Sequence, residues 1–74
     1  MLTNDIGINA GTIWKLLSQR GNLTVREIGE LTHYKDSLIM LALGWLSRES
    51  KIEFSTTNGE LKIGLKQVVS DLYY

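Results

Sequence analysis

The dipeptide Asn58-Gly59 limits what this chain folds into more than any other pair of residues. A type I′ turn needs φ > 0 at both central residues, and Asn followed by Gly supplies that at little steric cost. Set between KIEFSTT and ELKIGL, the pair predicts a β-hairpin over about 51–65. Counting outward from the turn places Thr56 opposite Leu61, Phe54 opposite Ile63 and Ile52 opposite Leu65. The last two pairs then share an apolar face while Glu53, Ser55 and Lys62 point away, so register and patterning agree.

Ahead of the hairpin the apolar period is helical. A first helix over about 5–20 carries Ile6, Ala10, Ile13 and Leu17 on one side, with Trp14 beside them. Asn4 or Asp5 is placed to cap its start, and Gly21 follows as a C-terminal stop. Gly7 and Gly11 sit one turn apart inside it and each costs about 1 kcal/mol against alanine. Either another backbone comes close there, or the helix is frayed and starts late. A second helix, about 24–32, opens on Thr24 with Glu27 three residues on, a capping box, and turns Ile28 and Leu31 inward. After the turn at HYK a third helix starts at Asp36 or Ser37 and spans about 36–49. The tail, 66–74, has Val68, Val69, Leu72 and Tyr73 at helical spacing but is too short to stand alone, so it docks or frays.

Helix, short helix, turn, helix, hairpin is the order of a winged helix-turn-helix, and from Leu23 to Phe54 the chain resembles that family's general pattern without a gap. LTVREIGEL is similar to its second-helix segment, and Ile39, Leu43 and Leu46 fall on the inward positions of its third helix. SRESKIEF resembles the polar stretch leading into the first wing strand, with Ser50 standing where glycine is usual. AGTIW with GWLSRESKI looks like a group of small single-domain bacterial winged-helix proteins of unknown function. The resemblance implies an α+β fold, three helices followed by a two-stranded wing and a short C-terminal segment, in a single domain over 1–74. It carries no activity with it.

Size and charge narrow the functional classes. A chain of 74 residues buries only about 60% of the surface that its unfolded form exposes, so its core is marginal. Without cysteine it has neither disulfides nor thiolate metal sites, and its lone histidine, His33, builds no metal cluster. Association remains as the stabilising device, which favours a homodimer. Lys plus Arg and Asp plus Glu are both 8, a zero formal charge that counts against nucleic acid, since phosphate neutralisation supplies most of such affinity. No apolar run is long enough to span a membrane, and MLTNDIGINAG lacks the pattern of a secretory signal, so a cytoplasmic protein is expected.

The third helix carries the most information about function. At about 100° per residue Ile39, Leu43 and Leu46 form one stripe, adjoined by Ala42. Leu38, Leu41 and Trp45 form a second, about 130° away, with Met40 beyond it near Gly44. An amphipathic surface helix needs one apolar stripe, so the second calls for cover. Three occupants are open: the tail of the same chain, a second copy whose third helix crosses at Gly44, or another protein or a DNA groove; against all three stands the reading that these residues belong to the core of a single chain. The reading taken forward is a non-catalytic adaptor that self-associates through Leu38, Met40, Leu41, Gly44 and Trp45. The alternative is a transcriptional regulator holding DNA through Lys35, Ser37, Arg48, Lys51 and Lys62. Against it, three large apolar residues separate Lys35 from Arg48, and the wing tip, TTNGE, has no Arg or Lys. Ser37, His33 and Asp36 lack the supported geometry of a catalytic triad, and Glu27 with Glu30 reads as a cap and a surface charge. No phosphate loop, cofactor or small-molecule ligand is expected.

Overall fold

The computed structural model describes residues 3–66. Along the chain run α1 (Thr3–Arg20), α2 (Val25–Thr32), α3 (Asp36–Arg48), β1 (Ile52–Thr57) and β2 (Glu60–Leu65). Three helices are followed by an antiparallel two-stranded hairpin, the winged helix-turn-helix arrangement. The expected docking or fraying of Val68, Val69, Leu72 and Tyr73 concerns residues outside those described.

Local chemistry accounts for most boundaries. Asn58 (φ 54°) and Gly59 (φ 80°) both take the left-handed region at the hairpin turn. The strands pair Ile52 with Leu65, Phe54 with Ile63 and Thr56 with Leu61, the register counted from that turn. At the start of α2 the Glu27 N–H donates to Thr24 Oγ1 at 3.1 Å and the Thr24 N–H donates to Glu27 Oε1 at 2.8 Å, closing the capping box. At the end of α3 the Ser50 N–H donates to the Ser47 carbonyl and the Lys51 N–H to the Leu46 carbonyl. This pair of bonds, around Ser50 at φ 57°, is a Schellman stop, and it explains why glycine is usual where this chain has serine.

The core is assembled from all five elements: Ala10, Ile13 and Leu17 of α1, Ile28 of α2, Ile39, Ala42, Leu43 and Leu46 of α3, and Ile52 and Ile63 of the wing are buried with Leu23. Leu23 exchanges two backbone hydrogen bonds with Ile63, at 2.9 and 2.7 Å, so the linker before α2 pairs with the inner strand.

Three expectations are corrected. The first helix begins at Thr3, so Asn4 and Asp5 lie within its first turn and not ahead of it. Leu31 is exposed although Ile28 is fully buried, because α2 is only 8 residues long and its last turn runs out beside α1, near Leu16 and Gln19, instead of over the core. Phe54 is exposed opposite a fully buried Ile63. β2 lies against the helices through Leu23, leaving β1 as the outer edge, so matched cross-strand partners have unequal cover.

Candidate interaction face on the third helix

The inward stripe of α3 is sealed: Ile39, Ala42, Leu43 and Leu46 are all buried. The second stripe divides. Leu38 is half-buried, Leu41 is 50% exposed and Trp45 is 38% exposed. What covers part of it is α1, so the chain's own core takes in some of this stripe, through a helix that the sequence reading did not single out. A Cβ built on Gly7 would lie 3.6 Å from the Trp45 ring, ordinary contact distance, so the indole rests against the bare backbone of that turn. The signal for this was present in the helical glycines and in Trp45, but the periodicity of a single helix does not say which neighbour meets it.

Beside this contact lies a groove of about 270 Å³ between α1 and the end of α3. Gly7, Gly11, Trp14 and Trp45 line it, with Glu49 and Lys51 at its edge. The space beside Gly11 is open, with nothing within 4 Å of a built Cβ.

The outward side of α3 is different. Met40 is 56% exposed, and Gly44 has open space where a side chain would stand. At helical spacing Ser37, Leu41, Gly44 and Arg48 follow one another along the arc opposite the core, with Met40 and Trp45 at its borders. All six are exposed, as are Lys35 and Lys51, while Leu38 is half-buried. The self-association set and the α3 members of the DNA set therefore occupy one surface. Lys35, which precedes the helix as its N-cap, makes no side-chain capping hydrogen bond.

Lys62 does not join that surface. It is half-buried on β2, and its charge reaches Glu27 at the start of α2. The Glu27 carboxyl is held below its ordinary pKa, first by the hydrogen bond from the Thr24 backbone N–H, then by the Thr24 hydroxyl and by Lys62, against an opposing desolvation.

His33 ends α2 in the left-handed conformation at φ 64°, exposed, with Asp36 and Ser37 exposed after it. These groups sit on an open surface and make no enclosed site. Among the described residues no group of three His, Cys, Asp or Glu is placed to hold a metal ion. None of the helices there is long and apolar enough to cross a membrane.

A family model described as a winged helix-turn-helix domain, DUF2582, matches residues 1–65. The chain belongs to this family. Among solved structures, the solution NMR structure of protein BT2368 from Bacteroides thetaiotaomicron is similar, with a TM-score of 0.80 and 29% identity over 89% of this chain and 80% of that one. No curated protein sequence matches the chain. The family and the bacterial structure agree on architecture and assign no role.

Proposed function

We propose that this winged helix-turn-helix domain is a non-catalytic protein-interaction module that pairs with a second copy through the outward face of α3. The observation that carries the reading is the group of Met40, Leu41 and Trp45, 56%, 50% and 38% exposed, around the open notch at Gly44. A large apolar side chain left in water forgoes about 1.5–3 kcal/mol relative to full burial, a sizeable share of a small domain's stability. A glycine in a solvent-facing helix turn costs about 1 kcal/mol, a cost offset when a second backbone approaches there. Leu38 supports the face from beneath, being half-buried, while Trp45 and Leu41 supply the contact.

Charge favours protein over DNA as the occupant. The formal net charge is zero, and between Ser37 and Arg48 the face offers Leu41 and Gly44 in place of base-reading side chains. A shared surface also means that DNA and a second copy compete for it.

Sedimentation equilibrium at low and high micromolar concentration tests the reading, with Leu41→Glu as the variant, since Leu41 is half-exposed and its loss leaves the core intact. The expected result is a mass rising towards twice the 8.4 kDa chain in the parent protein and staying at one chain in L41E. A parent protein that remains monomeric at high micromolar concentration rejects it. Amide shifts at Ser37 and Arg48 on titration with mixed-sequence duplex at low salt, where even non-specific binding is strong, would put DNA in place of the second copy.

A further inference from the structure

We propose that the free edge of β1 takes β1 of a second copy as an antiparallel neighbour, with Phe54 across from Phe54, so that two wings join into one four-stranded sheet.

Hydrogen-bond parity defines the edge. In a two-residue hairpin the pair flanking the turn, Thr57 and Glu60, exchanges both backbone bonds, and bonded and unbonded pairs alternate from there. Glu53, Ser55 and Thr57 therefore turn their N–H and C=O groups to β2, and Ile52, Phe54 and Thr56 turn theirs away. Two further bonds agree with that count. The Lys66 N–H donates to the Lys51 carbonyl, and Ile63, across from Phe54, bonds through both its backbone groups to Leu23 on the far side of β2. β2 is thus covered on both edges, while among the described residues β1 has β2 alone as a strand neighbour. Proteins blunt an open edge with proline, a bulge or lysine; Ile52–Thr57 has none of these and a single charge, Glu53.

The inner face of the wing fits the same occupant. Phe54 is 48% exposed and Leu61 46%, although both lie on the side of the sheet that buries Ile52 and Ile63. Pairing about Phe54 makes the row of Ile63, Phe54, the partner's Phe54 and the partner's Ile63 continuous, with an aromatic cross-strand pair at its centre.

Charge sets the register. Outward-turned residues must face one another across the new ladder, so registers differ by steps of two residues. Centring on Glu53 would set two carboxylates face to face. Centring on Ser55 would leave Ile52 opposite the turn residue Asn58. Centring on Phe54 places Glu53 across from the partner's Ser55, in the row that holds the partner's Lys62, and Ile52 across from the partner's Thr56.

This contact is separate from the pairing proposed on α3. A six-residue strand pair falls below the roughly 1,200 Å² of a standard interface, so it is the weaker of the two and forms at millimolar concentration. Where both form, dimers joined through α3 link by their wings into open strings, because each interface has its own two-fold axis.

Leu41→Glu is the background for the test: it removes the α3 contact and leaves the wing unchanged, so failure here is not failure of the α3 reading. Isotope-filtered NOEs are recorded on a millimolar mixture of isotope-labelled and unlabelled chains. The expected result is an intermolecular cross-peak between the Glu53 and Ser55 Hα atoms, the unbonded pair of the new ladder. Amide shifts of Ile52, Phe54 and Thr56 should move on dilution while those of Glu53, Ser55 and Thr57 hold. The same cross-peak is expected in the parent protein. Two variants at exposed Ser55 separate association from hairpin stability, since Ser55 faces Lys62 within the chain and Glu53 between chains. Ser55→Lys should tighten association by about 2- to 30-fold through two opposite-charge pairs, although it sets two lysines side by side in the hairpin. Ser55→Glu should abolish the cross-peak, although it gives Lys62 a partner. No cross-peak at millimolar concentration, one from Glu53 to Glu53 or Ser55 to Ser55, or association that follows hairpin stability overturns the proposal.

Discussion

The two helices of the helix-turn-helix are held by different means. α2 is short, buries only Ile28 and depends on its ends: the Thr24–Glu27 capping box at the start and His33 in the left-handed conformation at the stop. α3 has no side-chain cap at Lys35 and buries Ile39, Ala42, Leu43 and Leu46. One helix is secured by local hydrogen bonds, the other by tertiary burial. A helix secured by burial on one flank is free to present its other flank to a partner, whereas a short helix secured by its caps has little apolar surface to offer. That difference explains why the candidate interaction face lies on α3.

The largest effect should separate the flanks of α3. Leu43→Ala is expected to cost about 2–5 kcal/mol in chemical denaturation, as deletion of a buried leucine side chain does. Leu41→Ala, at dilution where the chain is monomeric, should stay within about 0.5 kcal/mol, the range of ordinary surface changes. Equal losses would erase the distinction between inner and outer flank.

Next is the cap. Thr24→Ala removes the hydroxyl that accepts from the Glu27 N–H and should cost about 0.5–2 kcal/mol, with the earliest hydrogen exchange confined to α2. Loss of protection throughout α3 as well would mean that the two helices are not held separately.

Glycine substitutions provide a paired comparison. Gly29→Ala in α2 brings its Cβ to 3.5 Å from Ile39 Cδ1, ordinary contact, and Gly44→Ala in α3 meets open space. Each should stabilise the monomer by about 0.8–1 kcal/mol through helix propensity. Only Gly44→Ala is expected to weaken self-association as well, because its methyl group stands where the second backbone would approach. A Gly44→Ala protein that dimerises more tightly than the parent would remove the notch from the interface.

The smallest effect depends on pH. Glu27 has a folded pKa below its unfolded value, so its stabilisation is fully present above the unfolded value and is lost as pH falls through the folded one. Stability of the parent protein should therefore fall slightly more steeply on acidification than that of Glu27→Gln, measured by denaturation between neutral pH and the carboxylate range. Identical slopes would show that the box gains nothing from the charge.

Much of the fold was legible because its signals are local. Asn58-Gly59 set the hairpin and its register, Thr24 with Glu27 set the start of α2, and Ile39, Leu43 and Leu46 marked the inward side of α3. The candidate face was legible as a set of apolar residues, but its division was not. Periodicity put Leu38, Leu41 and Trp45 on one stripe, yet Leu38 is half-buried, Leu41 half-exposed, and Trp45 leans on Gly7, 38 residues earlier in the chain. Leu31 and Phe54 were misjudged for the same reason: each fits its local pattern, and each is only partly covered in the fold.

The sequence by itself determined where α2, α3 and the hairpin lie and which side of α3 faces inward, because caps, turns and period involve residues within four or five positions of one another. Tertiary structure alone decided how far the second stripe is covered, since that depends on how α1 lies across α3. The seat for Trp45 and the groove beside it arise where Gly7 and Gly11 leave α1 without side chains facing another helix, a coincidence in space that no single window of the chain contains.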